Sequence, residues 1–289
     1  MYGVDVQIAR AKVNLALHVV SRRNDGFHEL DSLVCFPEFG DEISSRRDAV
    51  GTLLVSGEFG KKISETNNLV LKALNKISLP NKKMSVHLKK NIPVAAGLGG
   101  GSADAAAIIR SFSNLWGHID ITMSDLVQIG SDVPVCLDSS FQRMMGLGNN
   151  LKRLKSNIRF FILLVNSGTS ISTNDVFSQL VATQNSKLEK FDNFTKFLDF
   201  TNYLKRQRND LEKAAFKIDP NLVIMKNYIG KMRGCSLARL SGSGGTIFGI
   251  FETQIDAFEA LRIVKEEKKF WWARCCPVNL ARSGYDIVT

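Results

Sequence analysis

Hydrophobic and polar positions alternate first between Gln7 and Val20. Val13, Leu15, Leu17 and Val19 fall on one face, and Lys12, Asn14, Ala16 and His18 on the other, which predicts one strand over 7–20. An Asp25-Gly26 turn follows, and Phe27-His28-Glu29-Leu30 resumes extended chain. Over 39–58 short β-prone runs are broken by Gly and Asp, predicting a meander. Leu69, Val70, Ala73, Leu74 and Ile77 have helical spacing within 67–77, and 84–92 reads as a short strand. Four glycines (Gly97, Gly99, Gly100, Gly101) and Ser102 then lead into Ala103, Ala106, Ala107, Phe112 and Leu115 at helical intervals. Ser102 is the expected N-cap, with Asp104 in the first turn. A further helix is predicted to end near Gly130; Pro134 should stop helix continuation and set Asp132 on a tight connection before a short apolar segment. Phe160 to Val165 is continuously apolar and predicts a strand buried on both faces, opening a second domain. No clean period appears over 187–205, and Asn209 is placed to cap a helix. Leu240 to Gly249 is a glycine-rich turn entering a strand, 254–268 a helix, and a short closing strand begins at Val278. Strands mixed with helices predict an α/β (α+β) fold, and 289 residues suffice for two domains.

Composition narrows the function classes. A hydrophobic fraction of 44% and a charged fraction of 23% are ordinary for a soluble globular chain. No segment approaches a membrane span, and the apolar run from Val13 to Val20 is broken by Asn14 and His18 and lacks a cleavage site, so no signal peptide or membrane partner is expected. The net charge of +10 invites a nucleic-acid reading. The basic residues are scattered, however, and the densest clusters (Lys82-Lys83, Lys89-Lys90, Lys205-Arg206) are short and carry no RNA-binding aromatic motif. An anionic small substrate explains the charge equally well, and no nucleic-acid partner is expected. Five cysteines, odd in number and without a C-x-x-C pair, suggest reduced thiols in a cytoplasm.

The stretch from Pro93 to Trp116 carries the strongest chemistry. A glycine loop feeding a helix N-terminus offers unpaired N–H groups and the positive end of a dipole, which together hold phosphate. A plain connector is the alternative; the immediate onset of the helix favours phosphate. No Gly-Lys-Ser/Thr follows, so it is not a Walker A loop, and the glycine spacing is not that of a dinucleotide fold. Lys12 and Asn14 share a strand face, where a solvated edge lysine is the commoner case. His28 reads equally as a structural histidine, Asp132 as a turn residue, and Phe177 as core.

The run P-x-x-x-G-L-G-G-G-S-A-D-A-A resembles the phosphate loop of the GHMP small-molecule kinases, a superfamily that includes galactokinase, homoserine kinase, mevalonate kinase and phosphomevalonate kinase. Within it, A-K-V-N-L-A-L-H-V-x-x-R-R-x-D-G-F-H-E-L is similar to the 4-diphosphocytidyl-2-C-methyl-D-erythritol kinase family. Gly130-Ser131-Asp132-Val133-Pro134-Val135 and the loop at 240–249 match two further motifs, so the resemblance covers nearly the whole chain. It implies a ribosomal-protein-like N-terminal domain (1–156), with a left-handed βαβ crossover, and a ferredoxin-like C-terminal domain (157–289), with nucleotide and substrate between them. The implied reaction is ATP-dependent phosphorylation of the 2-hydroxyl of 4-diphosphocytidyl-2-C-methyl-D-erythritol in the non-mevalonate isoprenoid route. Lys12 and Asp132 are then the catalytic pair. Pro93, Val94, Ala95, Ala96, Gly97, Leu98, Gly99, Gly100, Gly101, Ser102 and Ala103 bind ATP. Asn14, Phe27, His28, Phe177, Ser241, Gly242, Ser243 and Gly244 bind the substrate. Mg²⁺ is expected with ATP, Ser102 being the one candidate ligand, and the enzyme is expected as monomer or homodimer. The chain departs from the family pattern at Phe27 (Tyr), Ser131 (Ala) and Asn149 (an acid). Another kinase of the superfamily would share the glycine loop and lack the D-G-F-H segment; a nucleic-acid binder would leave Lys12 and Asp132 without a role.

Overall fold

The computed structural model describes residues 3–282 except 65, 67, 78–80, 182 and 183; the predicted start of the first helix at Asn67 lies outside the described residues. In chain order the elements are β1 (Asp5–Arg10), β2 (Val13–Arg22), β3 (His28–Cys35), β4 (Gly40–Asp48), β5 (Leu53–Ser56), α1 (Leu69–Ile77), β6 (Lys83–Lys89), α2 (Gly100–Trp116), α3 (Met123–Ile129) and α4 (Val133–Asp138). They continue with β7 (Gln142–Gly146), β8 (Asn150–Arg153), β9 (Arg159–Asn166), α5 (Thr173–Ser178), α6 (Phe197–Arg206), α7 (Glu212–Ile218), α8 (Asn221–Gly230), β10 (Cys235–Leu240), β11 (Thr246–Phe251), α9 (Gln254–Glu267) and β12 (Trp272–Asn279). They form three four-stranded sheets, β1-β4-β6-β5, β2-β3-β7-β8 and β10-β11-β9-β12, so the mixed α/β expectation holds.

The single strand predicted over 7–20 is two strands in two sheets. The ladder breaks at Ala11 and Lys12, whose N–H groups leave it for Phe39 O (3.0 Å) and Leu98 O (2.8 Å). Nor is β2 half-exposed: Lys12, Asn14 and His18 are as buried as the apolar residues opposite. The meander over 39–58 is also corrected. Between β4 and β5 lies β6, antiparallel to β4 and parallel to β5, because α1 carries the chain across after β5.

Helices α1 to α4 pack on the first sheet around Ile43, Val86, Leu88, Ala106 and Val135. The apolar run of β9 is covered on both faces as predicted. Phe160, Ile162 and Leu164 join the β2 sheet and α6 in one core, while Leu163 and Val165 face α7, α8 and α9 in another. The segment without a clean period contains α6, anchored by a cluster of Phe191, Phe194, Phe200 and Tyr203. The closing strand begins at Trp272, six residues before the expected Val278. No helix among the described residues is long and apolar enough to cross a membrane.

Candidate active site

Helix α2 starts three residues earlier than Ser102 as the cap predicts. Gly99, in the left-handed region at φ 62°, is the N-cap; Ser102 lies inside the helix and Asp104 beyond its first turn. A left-handed cap suits glycine, and here it also brings the loop onto Lys12. A Cβ on Gly99 would sit 3.1 Å from Lys12 Cβ and 3.3 Å from its Cε. Lys12 Nζ donates to Asp132 Oδ2 at 2.6 Å, the lysine side chain 5% exposed and the aspartate 29%. Asp132 reaches that position because Pro134 begins α4 instead of ending a helix. In a first turn its missing N–H costs no bond, so the short apolar segment expected after Asp132 is the helix 133–138. Asp132 occupies the cap position without using its carboxylate to cap, which leaves the carboxylate for Lys12.

A second glycine turn locks the first. Ser241 Oγ donates to Gly97 O (2.8 Å) and accepts from Asn14 N (3.3 Å). Asn209 Nδ2 bonds Leu240 O (2.9 Å) and Gly242 O (2.8 Å), while its Oδ1 accepts from Leu211 N, so Leu211 holds the α7 cap position expected for Asn209. Thr173 and Ser243 share a hydroxyl contact of 2.8 Å. Asn14 Nδ2 donates to Ser32 Oγ at 2.7 Å; its Oδ1, buried beside Gly242, has no hydrogen-bond partner among the described residues. A lone buried acceptor at the wall of a cleft is suited to a ligand donor.

Beneath the loop lies a group that sequence reasoning missed. Lys90 Nζ reaches Asp41 Oδ2 and, at 2.7 Å, Asp104 Oδ2, with all three side chains buried. Asp41 Oδ1 also takes the Asn91 and Ile92 N–H groups (2.5 and 2.8 Å). Burial pushes the Asp104 carboxyl well above the usual range, Lys90 opposing and Asp41 adding to it. Burial lowers the Lys90 ammonium, but Asp104 and Asp41 outweigh it and leave it raised. The triad joins the end of β6 to α2 and so braces the loop between them.

These elements enclose a cleft of about 900 Å³. Its wall contains Lys12, Asn14, Pro93 to Gly97, Gly99 to Ser102, Asp132, Phe177, Gly242 and Ser243. Leu98, Ala103 and Ser241 are buried behind that wall, and Gly244 packs against Gly97. His28 stacks on Phe177 with ring centroids 5.1 Å apart, and burial, with Arg22, holds its imidazole below the ordinary range. Phe27 is 64% exposed. Ile63, Ser64 and Asn68, which carried no signal in the sequence reading, also line the cleft, as do Ser172 and Asp175. Among the described residues no cluster of three His, Cys, Asp or Glu side chains is suited to a metal ion by itself. The cleft offers instead hard oxygen donors, Ser102 Oγ and the Asp132 carboxylate, a set suited to Mg²⁺ when phosphates supply further ligands.

Comparison with known proteins gives a concordant result. The GHMP kinases N terminal domain model matches residues 68–140, and the GHMP kinases C terminal model matches 193–269. The 4-diphosphocytidyl-2-C-methyl-D-erythritol kinase of Chelativorans sp. is 38% identical over 276 residues, covering 92% of this chain and 94% of that protein. The protein of the same name from Jannaschia sp. is 39% identical, covering 93% and 96%. A crystal structure of 4-(cytidine 5'-diphospho)-2C-methyl-D-erythritol kinase superposes with a TM-score of 0.76 at 25% identity, covering 95% of this chain and 99% of that one. Homoserine kinase from Cytophaga hutchinsonii, at a TM-score of 0.64 and 15% identity over 97% and 95% of the two chains, shares the fold.

Proposed function

Because the chain belongs to the 4-diphosphocytidyl-2-C-methyl-D-erythritol kinase family of the GHMP kinases, we propose that it transfers the γ-phosphoryl group of ATP to the 2-hydroxyl of 4-diphosphocytidyl-2-C-methyl-D-erythritol, in the non-mevalonate route to isoprenoid precursors. The observation that carries this reading is the Lys12–Asp132 pair, 2.6 Å apart, in a cleft walled by the glycine loop. Phosphoryl transfer needs alignment and charge neutralisation more than covalent chemistry, and the residues supply both. The α2 N-terminus and loop N–H groups hold the phosphates. The substrate hydroxyl oxygen bonds to the γ-phosphorus as the bond to the bridging oxygen breaks, ADP leaves, and the hydroxyl proton passes to Asp132. Lys12 places a positive charge beside the reacting oxygens and orients the carboxylate. Mg²⁺, held by Ser102 and Asp132 with the phosphates, would neutralise charge on the transferred group.

His28 and Phe177 form an aromatic step for the cytosine, and Asn14 Oδ1 offers an acceptor to the substrate. Phe27, exposed and next to His28 in the chain, would cover the base. The same reading divides the chain into domains at 156/157. Among the described residues the five cysteines are free, in keeping with a cytoplasmic enzyme. A coupled ADP-release assay tests the proposal. Turnover with the cytidylyl substrate, and background rates with mevalonate, homoserine and galactose, are expected; comparable rates with any of the three would refute it.

A further inference from the structure

Helix α4 has six residues, too few to hold a conformation by backbone bonding alone, yet it carries Asp132 at its start. Something outside it must fix its direction. Its C-terminal carbonyls are gripped from α2: Arg110 Nη1 donates to Cys136 O at 3.0 Å and to Leu137 O at 3.3 Å. The same guanidinium reaches Ile8 O at 3.3 Å through Nη2 and Gln7 Oε1 at 3.2 Å through Nε, which ties it to β1. Arg110 is 6% exposed. Two smaller contacts complete the grip, Ser139 Oγ on Cys136 O (2.8 Å) and Gln142 Nε2 on Val135 O (3.2 Å). A buried cation at a helix C-terminus satisfies carbonyls that have no partner in the helix and complements the dipole. Its own helix, α2, begins at the glycine loop.

We infer that Arg110 is a positioning residue that registers Asp132 against the phosphate loop, by clamping α4 to the helix whose N-terminus forms that loop. The inference rests on the reading of Asp132 as proton acceptor. Arg110 touches no reacting atom; it acts through α4, setting the distance between the group that receives the proton and the group that holds the phosphates. A displacement on the order of 1 Å at such a site costs about a hundredfold in rate.

The test is a double-mutant cycle on turnover in the full chain. Arg110→Met should lower kcat about a hundredfold at saturating substrates, with ATP affinity by calorimetry and both KM values changed less than about threefold. In an Asp132→Asn background the same substitution should lower kcat by less than about threefold more, because the group being positioned is already disabled. Equal losses in both backgrounds, a loss confined to ATP affinity, or no loss of kcat would overturn the inference. Should Arg110→Met fail to fold, Arg110→Lys keeps a cationic donor at the carbonyls. It carries the same cycle with a loss of about tenfold. Asp132→Asn with near wild-type turnover would overturn the proton-acceptor reading and the inference together. A crippled Asp132→Asn whose loss multiplies with that of Arg110→Met would overturn the inference alone.

Discussion

Gly97→Ala examines the lock between the two glycine turns. Gly97 has φ 71°, and a Cβ there would lie 2.5 Å from Gly244 O and closer still to Ser241 O. Both obstacles are backbone carbonyls, which cannot swing aside. To restore the 3.4 Å of an ordinary contact to both carbonyls the turns must part by about 1 Å, and the left-handed conformation costs the alanine roughly 1–2 kcal/mol besides. Separation also lengthens the Ser241 Oγ–Gly97 O bond of 2.8 Å. A shift of this size between the loop proposed to hold ATP and the turn beside Asn14 should lower kcat/KM by about a hundredfold. Gly230→Ala is the control from outside the cleft. Its Cβ would meet Ala238 Cβ at an ordinary 3.5 Å, its φ is not positive, and it ends α8. Steady-state kinetics with the coupled assay should find Gly230→Ala within about threefold of wild type, judged against that hundredfold loss. If both variants fall alike, or Gly97→Ala keeps a third of wild-type efficiency, the steric argument fails.

Asp132→Asn keeps shape and removes the basic lone pair, so turnover should fall about a hundred- to ten-thousand-fold with both KM values little changed; retention of a tenth of the activity would make Asp132 a positioning group only. Phe177→Ala removes the ring that stacks on His28; by analogy with base stacking, worth about 1–3 kcal/mol, the KM for the cytidylyl substrate should rise five- to over a hundredfold, roughly, while that for ATP stays constant. An equal rise for ATP would displace Phe177 from the base site. Burial holds the His18 imidazole below 6.5, the Ser186 carbonyl opposing and Arg208 adding to it; Nδ1 faces Ser186 O at 2.9 Å and Nε2 accepts the Arg208 N–H at 3.2 Å. Near pH 6.5 the unfolded chain takes up a proton that the folded chain refuses, so stability falls as pH drops through 6.5 and levels off below the folded pKa. Thermal unfolding between pH 7.5 and 5.5 should show a shallower acid slope for His18→Gln than for wild type, and identical slopes would exclude His18 as the source.

Features with local causes were legible in the sequence. Glycines running straight into an alanine-rich helix signal a tight loop at that helix's N-terminus, and Asp-x-Pro places a carboxylate at a chain reversal whether a helix or a strand follows. The break at Ala11 and Lys12 was hidden because alternation continues through it, while the bonds that cause it go to Phe39 and Leu98, far along the chain. Spacing alone made an edge position the commoner reading of Lys12, because its partner is 120 positions away; the family resemblance is what singled it out. Lys90, in a basic dipeptide, looks solvated until Asp41 and Asp104 are folded around it. Arg110, amid alanines and isoleucines, resembles the polar face of a helix until the open carbonyls of α4, with Gln7 and Ile8 of β1, are folded around it. In each case the decisive partner was distant in sequence, where periodicity carries no information.

The lock between Gly97 and Ser241 joins positions 144 residues apart. On a ribosome adding about 5–20 residues per second, roughly 7 to 29 s separate their synthesis. Throughout that interval the glycine loop exists without the hydroxyl that fixes Gly97, and without the Asn209 bonds that hold the second turn. Its N–H groups can converge on a phosphate only after most of the chain has been made. On the proposed reading, a nascent molecule therefore completes its nucleotide site late, when the second turn docks against Gly97.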